Sequence, residues 1–477
     1  MRRPSPRRPQ GAPVERGDST RTSSPTFYPE YLKASHSVPA RGGAAAGQIS
    51  GGPRPEAPSI PQPGPPPTSW KHTFRALRHR NFRIFIAGQA VSLIGTWMQN
   101  VGQSWLVYRL TGSELMVGLL GFCAHGPVLL LGPLAGVTAD RHSRYRIVLL
   151  TQTAFLIQAV ILAALTLSDR VTASHVFVLA AVWGVINAFD IPARQSLYIH
   201  MVGGKDLLNA ISLNSVVFNT ARVAGPAVGG LVIAAAGEGV CFSVNAATFL
   251  AVLGSLFLLR LPPLEPESRD TPWRHLREGF RYVASHKPVL ALLAINSAMN
   301  ITRAPAVALA PFFADAIFGR GSKGLGVLTA AAGLGAILGT LGLARRTATR
   351  GLPRVVFSSA LATGACLALF AWSPAFWAAL LVFALVGFNH MRQNASANTL
   401  IQTLIPDAYR GRVMALYSMT VVGVLPLGHL AGGAAAEQIG PRWTVFWGGL
   451  VCTLAALAFR PYVARLQQAV KERSMSK

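Results

Sequence analysis

GPLAGVTADRHSRYR, running from Gly132 to Arg146, sets one aspartate and three arginines between two long apolar stretches. Charge in that position reads as a short loop joining two membrane-crossing helices, and the rest of the chain supports this. Of 477 residues, 51% are hydrophobic and 13% charged, with a mean hydropathy of +0.39. Apolar runs of about 20 residues recur almost to the C-terminus, and at ~1.5 Å rise per residue each reaches across a ~30 Å hydrocarbon core. So many runs exceed what a soluble core or a signal peptide contains. The expected fold class is all-α integral membrane.

About twelve spans are expected, over residues 84–108, 115–137, 147–167, 174–195, 209–236, 240–260, 289–317, 324–344, 355–371, 375–401, 412–436 and 443–462. Gly and Pro recur inside them, which membranes tolerate because neighbouring helices re-satisfy freed backbone groups and small residues permit close contact. The domain plan is a Pro- and Arg-rich disordered cytoplasmic tail over 1–70 and an N-terminal six-helix bundle over 71–262. A cytoplasmic connector with an amphipathic helix follows over 263–287, then a C-terminal six-helix bundle over 288–463 and a cytoplasmic tail over 464–477. The basic tail either meets anionic lipid head groups or binds nothing.

A net charge of +26 invites a nucleic-acid reading, but the basic residues sort by side of the membrane. Alternate loops hold Arg141, Arg144 and Arg146, then Lys205, then Arg269 to Lys287, then Arg345, Arg346, Arg350 and Arg354, then Arg410 and Arg412. Opposite loops hold little beyond Arg109, Arg170, Arg320, Lys323 and Arg442. Basic loops stay cytoplasmic, so both termini are expected in the cytoplasm of a multi-pass plasma-membrane protein, with no nucleic-acid partner. Cys123, Cys241, Cys366 and Cys452 fall inside spans without metal-ligand spacing, so no metal, cofactor or disulfide framework is expected.

An internal repeat organises the spans. Gly132 and Gly136 recur 203 residues later as Gly335 and Gly339, and GPAVGG at Gly225 recurs at the same offset as GHLAGG at Gly428. FRALRHRNF from Phe74 and FRYVASHKP from Phe280 precede the first and seventh spans, each with the look of a short interfacial helix. Six being even, the two halves enter the membrane in the same orientation, as parallel repeats.

With twelve spans in two sixes, and Gly136, Asp140, Arg141 and Arg144 in the loop after span two, the chain resembles the major facilitator superfamily of secondary transporters. The resemblance covers about residues 72–462. GPAVGG in span five is similar to the motif carried there by antiporters of that superfamily. DIPARQS at Asp190, LLNAISLNS at Leu207 and ARVAGPAVGG at Ala221 resemble the branch of enterobactin exporters and macrolide-efflux proteins. Ser143 and Tyr145 depart from the usual loop, which has Gly and a basic residue there.

The resemblance implies a cytoplasmic latch of Gly136, Asp140, Arg141, Arg144, Asp190 and Arg194 that joins the halves in the outward-facing state. Asp140 would accept backbone donors near Gly411 and Arg412, and Arg141 or Arg144 would reach Asp190. The plainer reading is that the arginines mark the cytoplasmic side. Asp190, four residues before Arg194, fits a local ion pair or a proton carrier. His125, His390 and His429 offer proton sites or packed polar groups.

Arg222, Arg303 and Arg392 lie within spans, where facing lipid is costly. With Gln99, Asn100, Gln103, Asn187, Asn219, Asn296 and Asn300 they outline an expected substrate cavity, or else hold helix carbonyls together. Gly225, Pro226, Gly229 and Gly230 are expected as hinge and packing residues. The implied activity is export of a small organic molecule, a siderophore-like anion or antibiotic-like metabolite, by alternating access and proton antiport, in a monomer surrounded by lipid. Catalytic motifs such as HExxH or GxSxG are not found, so no enzyme activity is expected. A metabolite facilitator, or a membrane sensor or lipid-binding protein using the basic tail, are the alternatives.

Overall fold

The computed structural model describes residues 74–261, 272–344 and 349–475. The tail expected over 1–70, the first part of the connector, and Arg345 and Arg346 lie outside the described residues. The described residues are nearly all helical and contain no strand. Among the described residues twelve long helices form two sets of six.

In the N-terminal half, span one is Arg80–Thr111, span two Glu114–Arg141 and span three Arg144–Leu167. Spans four, five and six share the helical run Ala173–Phe257, divided where Gly203 and Gly237 take φ of 71° and 81°. Side chains cap the entries. Ser113 accepts from the Met116 amide before span two, and Thr172 with His175 forms a reciprocal capping box before span four.

In the C-terminal half, span seven runs from Lys287–Ala308 through Ala310–Phe312 into a π-helical turn, Phe313–Ile317. Span eight is Gly321–Ala344, span nine Leu352–Ala371 and span ten Phe376–Leu404. Span eleven comprises Asp407–Ser418, a second π-helical turn Met419–Gly423, and the start of Leu425–Met475. Gly440, at φ 81°, divides that last run and begins span twelve, which continues as helix through residues 464–475. Arg473 there donates to the carbonyls of Leu404 and Ile405 at 3.0 and 3.3 Å.

The stretch before span one differs from expectation. FRALRHRNF is not an interfacial helix: a single turn, Arg75–Arg78, breaks at His79 (φ −74°, ψ 114°) and span one starts at Arg80. Tertiary contacts override the amphipathic pattern, because Arg75 and His79 bind Asp206 while the Ala76 amide donates to Asn209 at 2.8 Å. The connector does carry a helix, Pro272–Ser285, which lies against the start of span eleven. Glu278 pairs with Arg412 at 3.0 Å, and Tyr282, its phenol pushed up by burial, stacks on Tyr409 at 4.6 Å.

Three apolar cores divide the protein in a telling way. One, including Phe82, Phe85, Tyr198 and Met201, belongs wholly to the N-terminal half and lies toward the basic loops. A second, including Leu292, Leu400, Val413 and Leu466, belongs wholly to the C-terminal half on the same side. The third joins both halves toward the opposite face, bringing Leu106, Val117 and Phe242 together with Phe313, Leu325 and Ala436. The apolar cores of the halves therefore merge at one face and stay separate at the other. Leu130, Leu150 and Leu381 project outward at 78%, 70% and 64% exposure, as lipid-facing residues do. Trp372, Trp377, Trp443 and Trp447 are exposed near the fused face, where an aromatic belt meets head groups.

Candidate functional site

Glycine pairs build the seam at the fused face. A Cβ on Gly118 in span two would lie 2.8 Å from the Gly433 Cα in span eleven, and one on Gly230 in span five 2.9 Å from the Gly326 Cα in span eight. Backbone meets backbone at both crossings, so any side chain would force the halves apart. Polar contacts finish the seal. Tyr108 donates to Asp315 at 2.8 Å, while Glu437 accepts from the Ser113 hydroxyl at 2.9 Å and the Leu115 amide at 3.1 Å. Arg109 pairs with Glu238 at 2.7 Å within the N-terminal half.

The repeated motif now has a physical reading. Gly225 and Gly229 pack on Trp97, Ile94 and Met98 of span one, and Gly428 and Gly432 pack on Ile301, Ala304 and Pro305 of span seven. The final glycine of each motif, Gly230 or Gly433, faces the other half instead. Pro226 offers its carbonyl to the same crossing, 2.5 Å from where a Gly326 Cβ would stand. One stripe of small residues thus seats span five or eleven within its own half and against the other.

Toward the basic-loop face span two touches the connector helix Pro272–Ser285 and the π-helical turn of span eleven, but its glycines make no close crossing there among the described residues. Gly132 and Gly136 have nothing within 4 Å of an added Cβ, whereas their repeats Gly335 and Gly339 pack tightly on Ala384 and Phe388 of span ten. The side chain of Asp140 lies outside the described residues, and Arg141 is exposed. Asp190, 1% exposed, is held by Arg194 at 3.1 Å, Thr151 at 2.8 Å and Gln152 at 2.9 Å. The guanidinium on Asp190 is thus that of Arg194, and Arg144 donates to His200 at 2.5 Å. Gly411 meets nothing within 4 Å, while Arg412 is engaged by Glu278.

At mid-depth, Arg222 and Arg303 stand out. Arg222 lies over the Trp97 ring at 5.9 Å, and its backbone carbonyl is 3.0 Å from where a Cβ on Gly333 of span eight would lie. Arg303 is near enough to Arg222 for their charges to interact, and its buried Nε has no hydrogen-bond partner. Among the described residues neither guanidinium donates a hydrogen bond to protein. Both are half-buried, which sets two cations close together beside the seam. Arg392 lies over Phe388 at 5.2 Å.

Several residues expected to line a cavity are engaged elsewhere. Gln99 donates to Gln158 at 3.1 Å and accepts from Asn245 at 2.7 Å, which buries its amide among spans one, three and six. Asn296 donates to Thr420 Oγ1 at 2.8 Å, and Asn300 donates to the Asn296 and Thr420 carbonyls at 2.9 and 3.2 Å. Those two asparagines pin span seven to the π-helical turn of span eleven. Gln103 is buried with its Nε2 unpartnered, Asn219 donates to the Ser215 carbonyl, and Asn100 and Asn187 are half-buried. Among the pairings across the seam that no sequence period records, His125 of span two and His429 of span eleven have ring centroids 5.5 Å apart.

Comparison with known proteins agrees with this architecture. Residues 71–477 match the family described as transmembrane secretion effector. Over 369 residues the chain is 24% identical to the staphyloferrin A transporter of Staphylococcus aureus, covering 75% of this chain and 90% of that protein. It is 27% identical over 371 residues to the enterobactin exporter EntS of Shigella boydii, covering 77% and 88%. Among solved structures, the nucleoside transporter NupG aligns with a TM-score of 0.64 at 16% identity, over 80% of this chain and 98% of that one. A bacterial homologue of the iron transporter ferroportin, in an inward-facing state, aligns at 0.62 with 16% identity over 80% and 98%. The chain belongs to the transmembrane secretion effector family, within the major facilitator superfamily of membrane transporters.

Proposed function

We propose that this transporter exports a small organic anion, siderophore-like or an antibiotic-like metabolite, by alternating access and proton antiport. The observation that carries the substrate class is the Arg222–Arg303 pair, two half-buried guanidiniums beside the seam that donate to no protein acceptor among the described residues. Holding two half-buried cations together without an acceptor is costly, and an arriving anion relieves that cost. Carboxylate or catecholate oxygens suit the planar guanidinium fork. The siderophore-handling relatives favour the same class.

Orientation follows from the basic loops, which would lie in the cytoplasm with both termini, in the plasma membrane. The fused seam is then the outer gate, and the separate cores at the basic-loop face correspond to the cytoplasm-open state. In the opposite state Gly136, Asp140, Arg141 and Arg144 would meet the C-terminal half, with Asp190 and Arg194 fixing the neighbouring end of span four. The protein would work as a monomer, since each molecule holds both halves of the path.

The test is uptake into inside-out vesicles with an imposed pH gradient, comparing siderophores, macrolides and neutral metabolites. Gradient-dependent accumulation of an anionic compound is the expected result. Uptake of none of them, or uptake indifferent to the gradient, would overturn the antiport reading.

A further inference from the structure

We propose that His125 and His429 form the proton-binding site of the transport cycle: with both rings neutral, spans two and eleven close the seam, and a proton on either ring holds it open. The proposal rests on the transporter reading. It assigns a site that the arginine pair does not supply, since an arginine is too basic to release its proton in a working cycle.

The two rings meet edge to face, 5.5 Å between centroids and 89° between planes, one from each half. Their seat is built for contact. A Cβ on Gly121 would lie 1.9 Å from His429 Nδ1, and one on Gly118 2.5 Å from the His429 carbonyl, so small residues in span two make room for the ring of span eleven. His125 Nδ1 lies 3.0 Å from the Gly121 carbonyl. A carbonyl only accepts, so this nitrogen carries hydrogen and the lone pair of the neutral ring sits on Nε2. His429 is 8% exposed, and its Nδ1 has no partner. His429 is thus buried, and His125 half-buried, where spans two and eleven cross.

What faces the pair determines the effect of a proton. Span four contributes the Trp183 ring, 6.4 Å from His125, and span seven contributes Arg303, which interacts electrostatically with His429. The nearest carboxylates along spans two and eleven, Glu114 and Glu437, lie 11 and 8 residues away on their helices, roughly 16 and 12 Å at the helical rise, with Asp140 and Asp407 farther off. Asp190 is taken up by Arg194, Thr151 and Gln152. A proton on His429 would therefore place a cation beside Arg303, and one on His125 a cation beside the His429 ring, with no carboxylate facing either among the described residues, and like charges repel strongly where water is scarce. Imidazole titrates near pH 6.5 in water, inside the range that separates the two sides of an energised membrane.

The consequence is an ordered exchange. With the seam open to the outside, the hydrated rings take one proton. Closing the seam brings the rings together and drives that proton into the central space, which is then open toward the basic loops. No bond other than N–H forms or breaks.

Double electron–electron resonance between spin labels at Ser168→Cys and Ile439→Cys, one on each half at the fused face, reads the seam directly. The protein is placed in lipid nanodiscs with its four native cysteines replaced. At pH 8 one short distance is expected; at pH 5.5 a longer distance grows several-fold. His125→Gln with His429→Gln should hold the short distance at both pH values, and His390→Gln should respond like wild type. The short peak at pH 8 reports an intact fold, and His429→Asn provides a second variant should glutamine not fit. A wild-type distance that ignores pH, a double variant that still responds, or loss of the response in His390→Gln would each overturn the site. Vesicle flux indifferent to the gradient, with the distance change intact, would defeat the antiport reading and leave the site standing.

Discussion

Gly230 and Gly433, 203 residues apart, hold equivalent seats on either side of the seam: Gly230 faces Gly326, Gly433 faces Gly118, and each crossing brings Cα atoms of opposite halves together. Gly237 and Gly440 repeat the relationship at the same offset, with φ 81° at both and ψ 172° and 159°. The repeat is therefore a repeat of backbone states and contacts as well as of letters.

Gly230→Val or Gly433→Val should open the seam without unfolding either half. The added side chain would meet backbone that cannot yield, at 2.6 Å from the Ser322 carbonyl or 2.8 Å from that of Glu114. Overpacking of this kind costs about 1–3 kcal/mol, enough to shift a near-balanced equilibrium about 5- to 150-fold toward separated halves. Spin-label distances across the fused face check this, with thermal unfolding as the control. An unchanged distance would remove these glycines from the gate.

Asp190 should matter more to stability than its single charge implies. Replacing it with alanine strands Arg194 beside the polar groups of Thr151 and Gln152, and breaking a buried pair typically costs about 3–5 kcal/mol. Arg194 is 19% exposed, so the lower end is expected. Thermal unfolding of Asp190→Ala, Arg194→Ala and the double variant gives the coupling; a double variant as unstable as the sum of the singles would show that the pair does not act as a unit.

Much of this was legible in the sequence, and what was not has one cause. Hydropathy placed the twelve spans, because a lipid-facing Leu130 or Leu381 must be apolar wherever its helix packs. The 203-residue offset carries the two halves in the letters themselves. Asp190 and Arg194 share a helical face, so their pairing could be read locally. By contrast, Gly118 with Gly433, His125 with His429 and Tyr108 with Asp315 join residues of different halves, which no local period records. Gln99, Asn296 and Asn300 read as cavity residues because a buried amide and a wet one have the same sequence signature, which says nothing of their partners Gln158, Asn245 and Thr420.

Asp206 should tether the entry of span one. It binds both Arg75 and His79, and Asn209 holds the Ala76 amide beside it. Asp206→Asn removes the charge that both basic side chains meet, so amide hydrogens over 74–79 should exchange faster while spans one to six stay protected. Exchange as slow as in wild type would show that Asn209 and packing suffice.

Asp140→Asn should lower transport about tenfold or more while leaving the membrane-inserted amount unchanged, if the loop from Gly136 to Arg146 latches the halves when the outer gate opens. A factor of ten corresponds to about 1.4 kcal/mol, within reach of one charge-assisted contact at a helix end. Quantitative blotting of membranes alongside flux separates the two effects. Full transport would leave Arg141, Arg144 and Arg146 as markers of the cytoplasmic side alone.

If Arg222 and Arg303 hold an anionic substrate between the halves, the apparent KM for that anion in inside-out vesicles depends on both. A charge-assisted hydrogen bond contributes about 1.5–3 kcal/mol, so Arg222→Gln and Arg303→Gln should each raise KM roughly 10- to 150-fold. Transport of the anion at wild-type KM by either variant would contradict the assignment.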